Sequence, residues 1–225
     1  MQNTYKYLLF DLDGTLTDPA EGITRAVQHA LKKQGIHVAD RKTLLPFIGP
    51  PLQQSFQDFY GFTPQQADEA CEAYNEYFLP KGIFENRPYE GIHAFLRQLR
   101  NERRTLLVAT SKPEILAKRI LEHFGLLPYF DFVGGDTMER TRSDKAEVIR
   151  YVLQAAGITT KEKHAAVMIG DRKHDIIGAR SNGIDSIGVL YGYGNKEELT
   201  QAGATFIAPS LSSVGQFIKG KAGIP

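Results

Sequence analysis

The sequence predicts an α/β fold in which a doubly wound parallel sheet carries a helical domain inserted after its first strand. Short apolar runs alternate with amphipathic helical patterns over much of the 225 residues, and this alternation is typical of a parallel sheet covered by helices on both faces. Several runs stop abruptly at polar or glycine residues, as buried strands do where a loop begins. From about Glu21 to Phe84 no strand pattern occurs, which indicates a separate helical insertion.

Five strands are predicted from apolar runs that end in loop residues. The first stops at Asp11-Leu12-Asp13-Gly14-Thr15 and the second at Thr110-Ser111-Lys112-Pro113. The predicted strands cover residues 5–10, 105–109, 165–169, 184–190 and 205–207.

Helices are predicted where apolar residues recur at three- and four-residue spacing. In the sheet domain these stretches are residues 92–100, 114–124, 145–156 and 176–182. In the insertion, stretches punctuated by glycine predict helices over residues 23–34, 52–60 and 64–79. The patterns place the α/β core domain at residues 1–18 and 86–225, and the helical domain at residues 19–85.

The composition narrows the class of protein. Lysine and arginine total 27 against 26 acidic residues, for a net charge of +1, which provides no overall field for gripping a nucleic-acid polymer or a membrane surface. No apolar stretch is long enough to span a bilayer, and the first residues lack a secretory pattern. The single cysteine, Cys71, fits a reducing compartment. We expect a cytoplasmic protein without nucleic-acid or membrane partners, either a monomer or a homodimer.

Acidic side chains follow two of the predicted strands at their carboxyl ends, the edge at which open parallel sheets bind ligands. Asp11 and Asp13 follow the first strand, and such a pair can divide nucleophilic attack and proton transfer between two carboxyl groups. Asp171 follows the third strand, with Asp175 four residues later. These residues could complete a site for Mg²⁺, which prefers oxygen ligands and leaves room for phosphate.

Groups that could bind phosphate follow the second predicted strand and open a predicted helix. Thr110 and Ser111 bring hydroxyls to the end of the second strand, ahead of a helix whose N-terminus would offer N–H groups. Lys145 opens another predicted helix, where its ammonium would offset phosphate charge and hold the nucleophile. Lys112 is interpreted as a solvated neighbour of this site.

Four motifs occur in order along the chain: Asp11-Leu12-Asp13-Gly14-Thr15-Leu16-Thr17, Thr110, Lys145, and Gly170-Asp171 through Asp175. Together they resemble the motifs of the haloacid dehalogenase-like phosphatases, and the resemblance covers nearly the whole chain. It implies a Rossmann-like core and a helical cap over residues 19–85 that closes over the site. Within that family the chain looks like the phosphoglycolate phosphatase and nucleotidase-like branch, an impression to which Tyr191-Gly192-Tyr193-Gly194 adds.

The resemblance implies a role for each matching acidic residue. Asp11 is the expected nucleophile, and Asp13 is the expected general acid and base. Asp11, the backbone carbonyl of Asp13 and Asp171 are expected to hold Mg²⁺, with Asp175 in a supporting position.

The resemblance also implies the binding residues. Thr110 and Lys145 are the phosphate ligands that it implies, and Ser111, beside Thr110, is a further candidate. Many relatives carry proline after this lysine, where the present chain has Ala146. In the insertion, Gly49, Pro50 and Pro51 are the candidate specificity residues, because relatives place a substrate-facing loop there.

These expectations describe a Mg²⁺-dependent phosphatase that hydrolyses a small phosphomonoester through an aspartyl-phosphate on Asp11. The sequence leaves phosphoglycolate, nucleoside monophosphates and sugar phosphates open as substrates. Two alternatives are a phosphosugar mutase of the same fold, which would return the phosphate to the sugar, and a non-catalytic module that binds a phosphorylated ligand.

Overall fold

The computed structural model describes residues 5–142 and 144–220, and the chain divides into two compact units. Thr17–Arg87 forms the inserted unit, and the described residues on either side of it form the core unit. The sequence prediction put these boundaries two residues away at each end, after residue 18 and before residue 86. That the insertion acts as a cap stays a prediction.

The strands are β1 (Tyr7–Phe10), β2 (Thr17–Asp18), β3 (Arg87–Pro88), β4 (Thr105–Pro113), β5 (Phe132–Asp136), β6 (Ala166–Gly170), β7 (Asp185–Val189) and β8 (Phe206–Ala208). Six of them form a sheet in the order β5-β4-β1-β6-β7-β8, and its neighbouring strands run parallel. This confirms the predicted doubly wound parallel sheet.

The helices are α1 (Ala20–Lys33), α2 (Leu52–Tyr60), α3 (Pro64–Phe78), α4 (Ile92–Asn101), α5 (Glu114–His123), α6 (Lys145–Ala155), α7 (Lys173–Ser181), α8 (Lys196–Ala202) and α9 (Leu211–Lys219). Short 3₁₀ helices cover Arg41–Phe47, Gly82–Phe84, Leu127–Tyr129 and Thr160–Ala165. Over the described part of the chain, none of these helices combines the length and the apolar character needed to cross a bilayer.

The central strand β1 sets the position of the site. Leu8, Leu9 and Phe10 are completely or almost completely buried between β4 and β6. Phe10 is paired in register with Val108 of β4 and with Ile169 of β6. Because the three strands are parallel, the polar residues that follow them lie at one edge of the sheet.

Strand β5, at one end of the sheet, was missed by the sequence analysis. It contains Gly134 and Gly135, and glycine is depleted in strands. A side chain on Gly134 would overlap Val152 of α6, and one on Gly135 would overlap the carbonyl oxygen of Lys112. β5 can therefore pack against its neighbours only because these two residues have no side chain.

Strand β4 is longer than predicted. The prediction ended it at residue 109, but the extended backbone continues to Pro113, with a shift in its register to β5 between Ala109 and Pro113. Pro113 is the N-cap of α5, so the helix begins at Glu114. Thr110 and Ser111 therefore lie on the strand and do not cap the helix.

The inserted unit is helical, as predicted. Helix α3 lies against both α1 and α2, and Phe56, Tyr74 and Phe78 are buried, whereas Phe59 is 48% exposed. Gly49-Pro50-Pro51 links the 3₁₀ helix that ends at Phe47 to α2, and Gly49 has a positive φ of 106°. A role of this segment in substrate choice stays a prediction.

The two ends of the insertion lie side by side. Strands β2 and β3 form a separate two-stranded sheet. The Arg87 guanidinium donates to Asp18 Oδ2 at 2.8 Å, and the Asn86 amide donates to the Thr17 hydroxyl at 3.2 Å.

Candidate active site

Three buried carboxylates meet at the carboxyl edge of the sheet. Asp11 follows β1, Asp171 follows β6, and Asp175 lies in the first turn of α7. One oxygen from each lies within 4.8 Å of the other two, and the three residues are 5%, 0% and 1% exposed. Because burying like charges together is costly, this cluster needs a positive group.

Lys145 provides one such group from the first residue of α6. Its Nζ atom lies 2.9 Å from Asp11 Oδ1 and 2.9 Å from Asp175 Oδ1, and it donates to the Ala109 carbonyl at 3.2 Å. Burial alone would lower the pKa of Lys145, but the charges of Asp11 and Asp175 raise it above its usual value. Lys145 thus contacts the predicted nucleophile, Asp11, and is protonated.

The residue after this lysine explains the departure from the family pattern. Asp144 is the N-cap of α6, and its carboxylate accepts a hydrogen bond of 2.7 Å from the Ala146 N–H. A proline at position 146 has no N–H to donate. In this chain the cap uses the donor that alanine retains.

Asp171 is surrounded by backbone. The Tyr193 N–H donates to its Oδ2 at 2.7 Å, and the Thr15 hydroxyl lies 3.4 Å from its Oδ1. A side chain on Gly192 or Gly194 would overlap Asp171 itself. The segment 191–194 therefore has a physical role, because Gly192 lets the main chain approach the Asp171 carboxylate and Gly194 lets it approach the Asp171 carbonyl.

Two carboxyl groups of the cluster, those of Asp171 and Asp175, have raised pKa values. Burial, together with the charges of Asp175 and Asp11, raises the pKa of Asp171 well above its usual value. Burial also raises the pKa of Asp175 to about 6, although Lys145 acts in the opposite direction. A divalent cation bound by these oxygens would reverse both shifts, because it favours the ionised forms.

The donor set fits a hard cation such as Mg²⁺. All three groups are carboxylates, which Mg²⁺ prefers to nitrogen or sulfur ligands. Asp175, predicted as a supporting residue, lies within the cluster, whereas the Asp13 carboxylate is paired elsewhere. This pairing is compatible with the family resemblance, which implies only the backbone carbonyl of Asp13 as a metal ligand.

Asp13 is paired with Lys112. Its Oδ2 lies 2.8 Å from Lys112 Nζ, and the two side chains are 12% and 8% exposed. Burial raises the pKa of Asp13 and Lys112 partly offsets that rise, so this carboxyl group is better suited than an exposed one to carry a proton. The interpretation of Lys112 as a solvated neighbour was wrong. The signal that could have found it is its position two residues after Thr110, on the strand beside β1.

The hydroxyl candidates lie at the end of β4. Thr110 is 2% exposed, and its Oγ1 accepts a hydrogen bond of 3.2 Å from the Lys112 N–H. Ser111 is half-buried beside it. The structure brings both to the edge at which Asp11 lies, and their binding of phosphate stays a prediction.

We expect Gly14→Ala to lower activity by about 10²-fold, the usual cost of moving a reacting group by about 1 Å. Gly14 has a φ of +83°, and a side chain there would overlap the carboxylate of Asp171. Gly183→Ala is the matched control, because its φ of +68° imposes similar backbone strain but its side chain would meet nothing within 4 Å. Initial rates of phosphate release and thermal unfolding of both variants test this. Equal losses of activity would show that backbone strain alone is responsible.

Comparisons with known proteins agree on one family. A family model described as haloacid dehalogenase-like hydrolase matches residues 8–189. A 5′-nucleotidase of Pseudomonas aeruginosa is 44% identical over 215 residues, which cover 96% of each chain. Tyrosine-protein kinase PtkA of Mycobacterium tuberculosis is 34% identical over 89% of this chain and 67% of its own length. The solved structure of a predicted phosphatase from Clostridium acetobutylicum aligns with a TM-score of 0.92 and 47% identity, over 96% of this chain and 99% of the other.

Proposed function

The chain belongs to the haloacid dehalogenase-like hydrolase family and is a phosphoric monoester hydrolase, and from this premise we propose that it hydrolyses nucleoside 5′-monophosphates through an aspartyl-phosphate on Asp11. The observation that carries the proposal is the buried Asp11 carboxylate, which lies 2.9 Å from an ammonium and beside two further carboxylates. The nucleotide is proposed because a 5′-nucleotidase matches along nearly the whole chain.

In the first step an Asp11 carboxylate oxygen attacks phosphorus. The bond from phosphorus to the ester oxygen breaks with its electron pair on the leaving oxygen, which takes the proton of Asp13. Lys145 offsets the negative charge that accumulates between carboxylate and phosphate. The products are the free alcohol and the aspartyl-phosphate.

In the second step a water oxygen attacks the phosphorus of that intermediate. Asp13, now ionised, takes a proton from the water, and the electron pair of the broken bond returns to Asp11. Inorganic phosphate leaves, and both carboxyl groups are back in their starting forms. One pair of aspartates therefore serves both steps.

We propose Mg²⁺ as the cofactor, held by Asp11, Asp171 and the backbone carbonyl of Asp13, with Asp175 in support. The buried cluster of Asp11, Asp171 and Asp175 supports this choice. When bound, the ion supplies positive charge that offsets repulsion between the aspartate and an anionic substrate. Thr110, Ser111 and Lys145 are the proposed phosphate ligands, and residues 49–51 are proposed to influence substrate choice. A cytoplasmic location and a small-molecule partner complete the proposal.

A substrate panel tests the function. Phosphate release is measured with Mg²⁺ from nucleoside 5′-monophosphates, phosphoglycolate and sugar phosphates, each with and without EDTA. We expect kcat/KM for a nucleotide to exceed the others by at least about tenfold, a discrimination of about 1.4 kcal/mol in the transition state. EDTA is expected to stop turnover. Faster hydrolysis of phosphoglycolate or a sugar phosphate would reassign the substrate, and turnover of none would support a non-catalytic module.

Transfer to an acceptor other than water is the competing function. A relative named as a tyrosine kinase makes a tyrosine hydroxyl one such acceptor, and a mutase would use a sugar hydroxyl. Incubation with labelled ATP and a tyrosine peptide, and separately with a sugar 1-phosphate, distinguishes these outcomes. We expect neither labelled peptide nor sugar 6-phosphate to form, and either product would contradict the hydrolase.

A further inference from the structure

We infer that Lys112 is a positioning residue that holds the Asp13 carboxyl group in place for proton transfer to the leaving oxygen. This inference rests on the proposed function and deepens it. Neither the four sequence motifs nor the carboxylate cluster assigns a role to Lys112. Its side chain is nonetheless only 8% exposed, close to the 7% of the Asp11 side chain.

The two oxygens of Asp13 have different environments. Oδ2 lies 2.8 Å from the Lys112 ammonium. Oδ1 is buried and has no hydrogen-bond partner among the residues that the structure describes. One oxygen is therefore anchored by a charge-assisted contact, and the other is left to exchange a proton with the substrate.

The backbone that carries Lys112 is itself fixed from two sides. Its N–H donates to the Thr110 hydroxyl at 3.2 Å. Its carbonyl oxygen lies where a side chain on Gly135 would overlap it, so β5 packs closely against it. A lysine on a rigid strand can position a carboxyl group more accurately than one on a loop.

The site divides its two buried lysines between its two catalytic aspartates. Lys145 contacts Asp11 at 2.9 Å, and Lys112 contacts Asp13 at 2.8 Å. Loss of Lys112 should therefore affect the proton-transfer role of Asp13 and leave the attack by Asp11 largely intact.

This division has a kinetic signature that depends on the leaving group. When the ester bond breaks with its electron pair on a nucleoside oxygen, that oxygen needs the proton of Asp13, because an alkoxide is a poor leaving group. p-Nitrophenolate is a stable anion and can leave without a proton. A misplaced Asp13 should slow the first ester far more than the second.

The experiment compares Lys112→Met with wild type on a nucleoside 5′-monophosphate and on p-nitrophenyl phosphate, both with Mg²⁺. We expect kcat/KM to fall by about 10²-fold for the nucleotide and by less than about threefold for p-nitrophenyl phosphate. Because kcat/KM depends only on the steps up to and including the first irreversible one, it does not include hydrolysis of the intermediate. That shared step needs Asp13 as a base, so kcat should fall for both esters.

The matched control is Lys118→Met on α5, since that lysine is 48% exposed and pairs with Glu114 four residues away. Lys118→Met should leave kcat/KM unchanged within about twofold for both esters. Lys112→Gln, which keeps a polar end, is compared in the same way should Lys112→Met not fold. In an Asp13→Asn background, Lys112→Met should cause no further loss with the nucleotide, because the group it positions is already gone.

Equal losses of kcat/KM for the two esters, or no loss of kcat/KM for either, would overturn the inference and leave Lys112 a structural or phosphate-binding role. Additive losses in the double variant would overturn it as well. A wild-type protein that releases no phosphate from either ester would instead overturn the proposed function.

Discussion

Asp11→Asn is expected to abolish phosphate release, with a loss of at least about 10⁴-fold for every ester. The asparagine amide keeps the shape of the carboxylate but is a poor nucleophile. In the wild type, Asp11 lies 2.9 Å from the Lys145 ammonium and is 5% exposed, an environment in which substrate charge can be offset during attack. Acid quench of a reaction with labelled substrate should trap a phosphoenzyme in the wild type and none in the variant.

The control for this substitution is Asp58→Asn, on the exposed side of α2 in the inserted unit. It makes the same change of charge on an exposed side chain and should retain wild-type rates. An Asp11→Asn enzyme that turns over substrate at more than about one per cent of the wild-type rate would exclude Asp11 as the nucleophile.

Lys145→Met is expected to destabilise the metal-free protein by about 3–5 kcal/mol near pH 8, because it leaves buried carboxylates without their counter-charge. The loss should be smaller near pH 5. The pKa of Asp175 is raised from 3.8 to about 6 even with Lys145 present, and removal of the lysine should raise it further. A carboxyl group whose folded-state pKa is raised contributes stability below its unfolded pKa and loses that contribution as pH rises through the folded value.

Urea unfolding in EDTA at about pH 5 and about pH 8 measures this difference. Lys163→Met is the control, since that lysine donates to the Asn182 carbonyl at 2.8 Å and should cost about 1 kcal/mol at either pH. If the loss of unfolding free energy in Lys145→Met stays constant, or shrinks as pH rises, Lys145 does not neutralise the cluster. Activity with Mg²⁺ should fall by at least about 10²-fold, because Lys145 also offsets charge during attack.

The parts of the fold that follow local rules could be predicted from the sequence. Strands β1, β4 and β6 are apolar runs that end in polar residues, and the edge of a parallel sheet at which such residues gather is a general property of the fold. The meeting of Asp11 and Asp171 at one edge therefore follows from the predicted strands, whereas the position of Lys145 was expected from the family resemblance.

The parts that depend on close approach in three dimensions could not be predicted. Strand β5 contains two glycines, which argue against a strand locally but are required by Val152 and by the main chain of Lys112. The two C-terminal helices were also missed. Helix α8 is short and rich in polar residues, so that its apolar period is weak. The pairing of Lys112 with Asp13 depends on side-chain direction, which spacing alone does not fix.

The paired ends of the inserted unit make that unit exchangeable as a module. Since Arg87 bonds to Asp18 and Asn86 to Thr17, the main chain leaves and re-enters the core at nearly one point. Replacing the roughly seventy residues between them by a short turn, or by a longer and unrelated segment, would change the free energy of loop closure by no more than about 2–3 kcal/mol. The residues of the carboxylate cluster and the sequence of the insertion can therefore change on separate stretches of one gene.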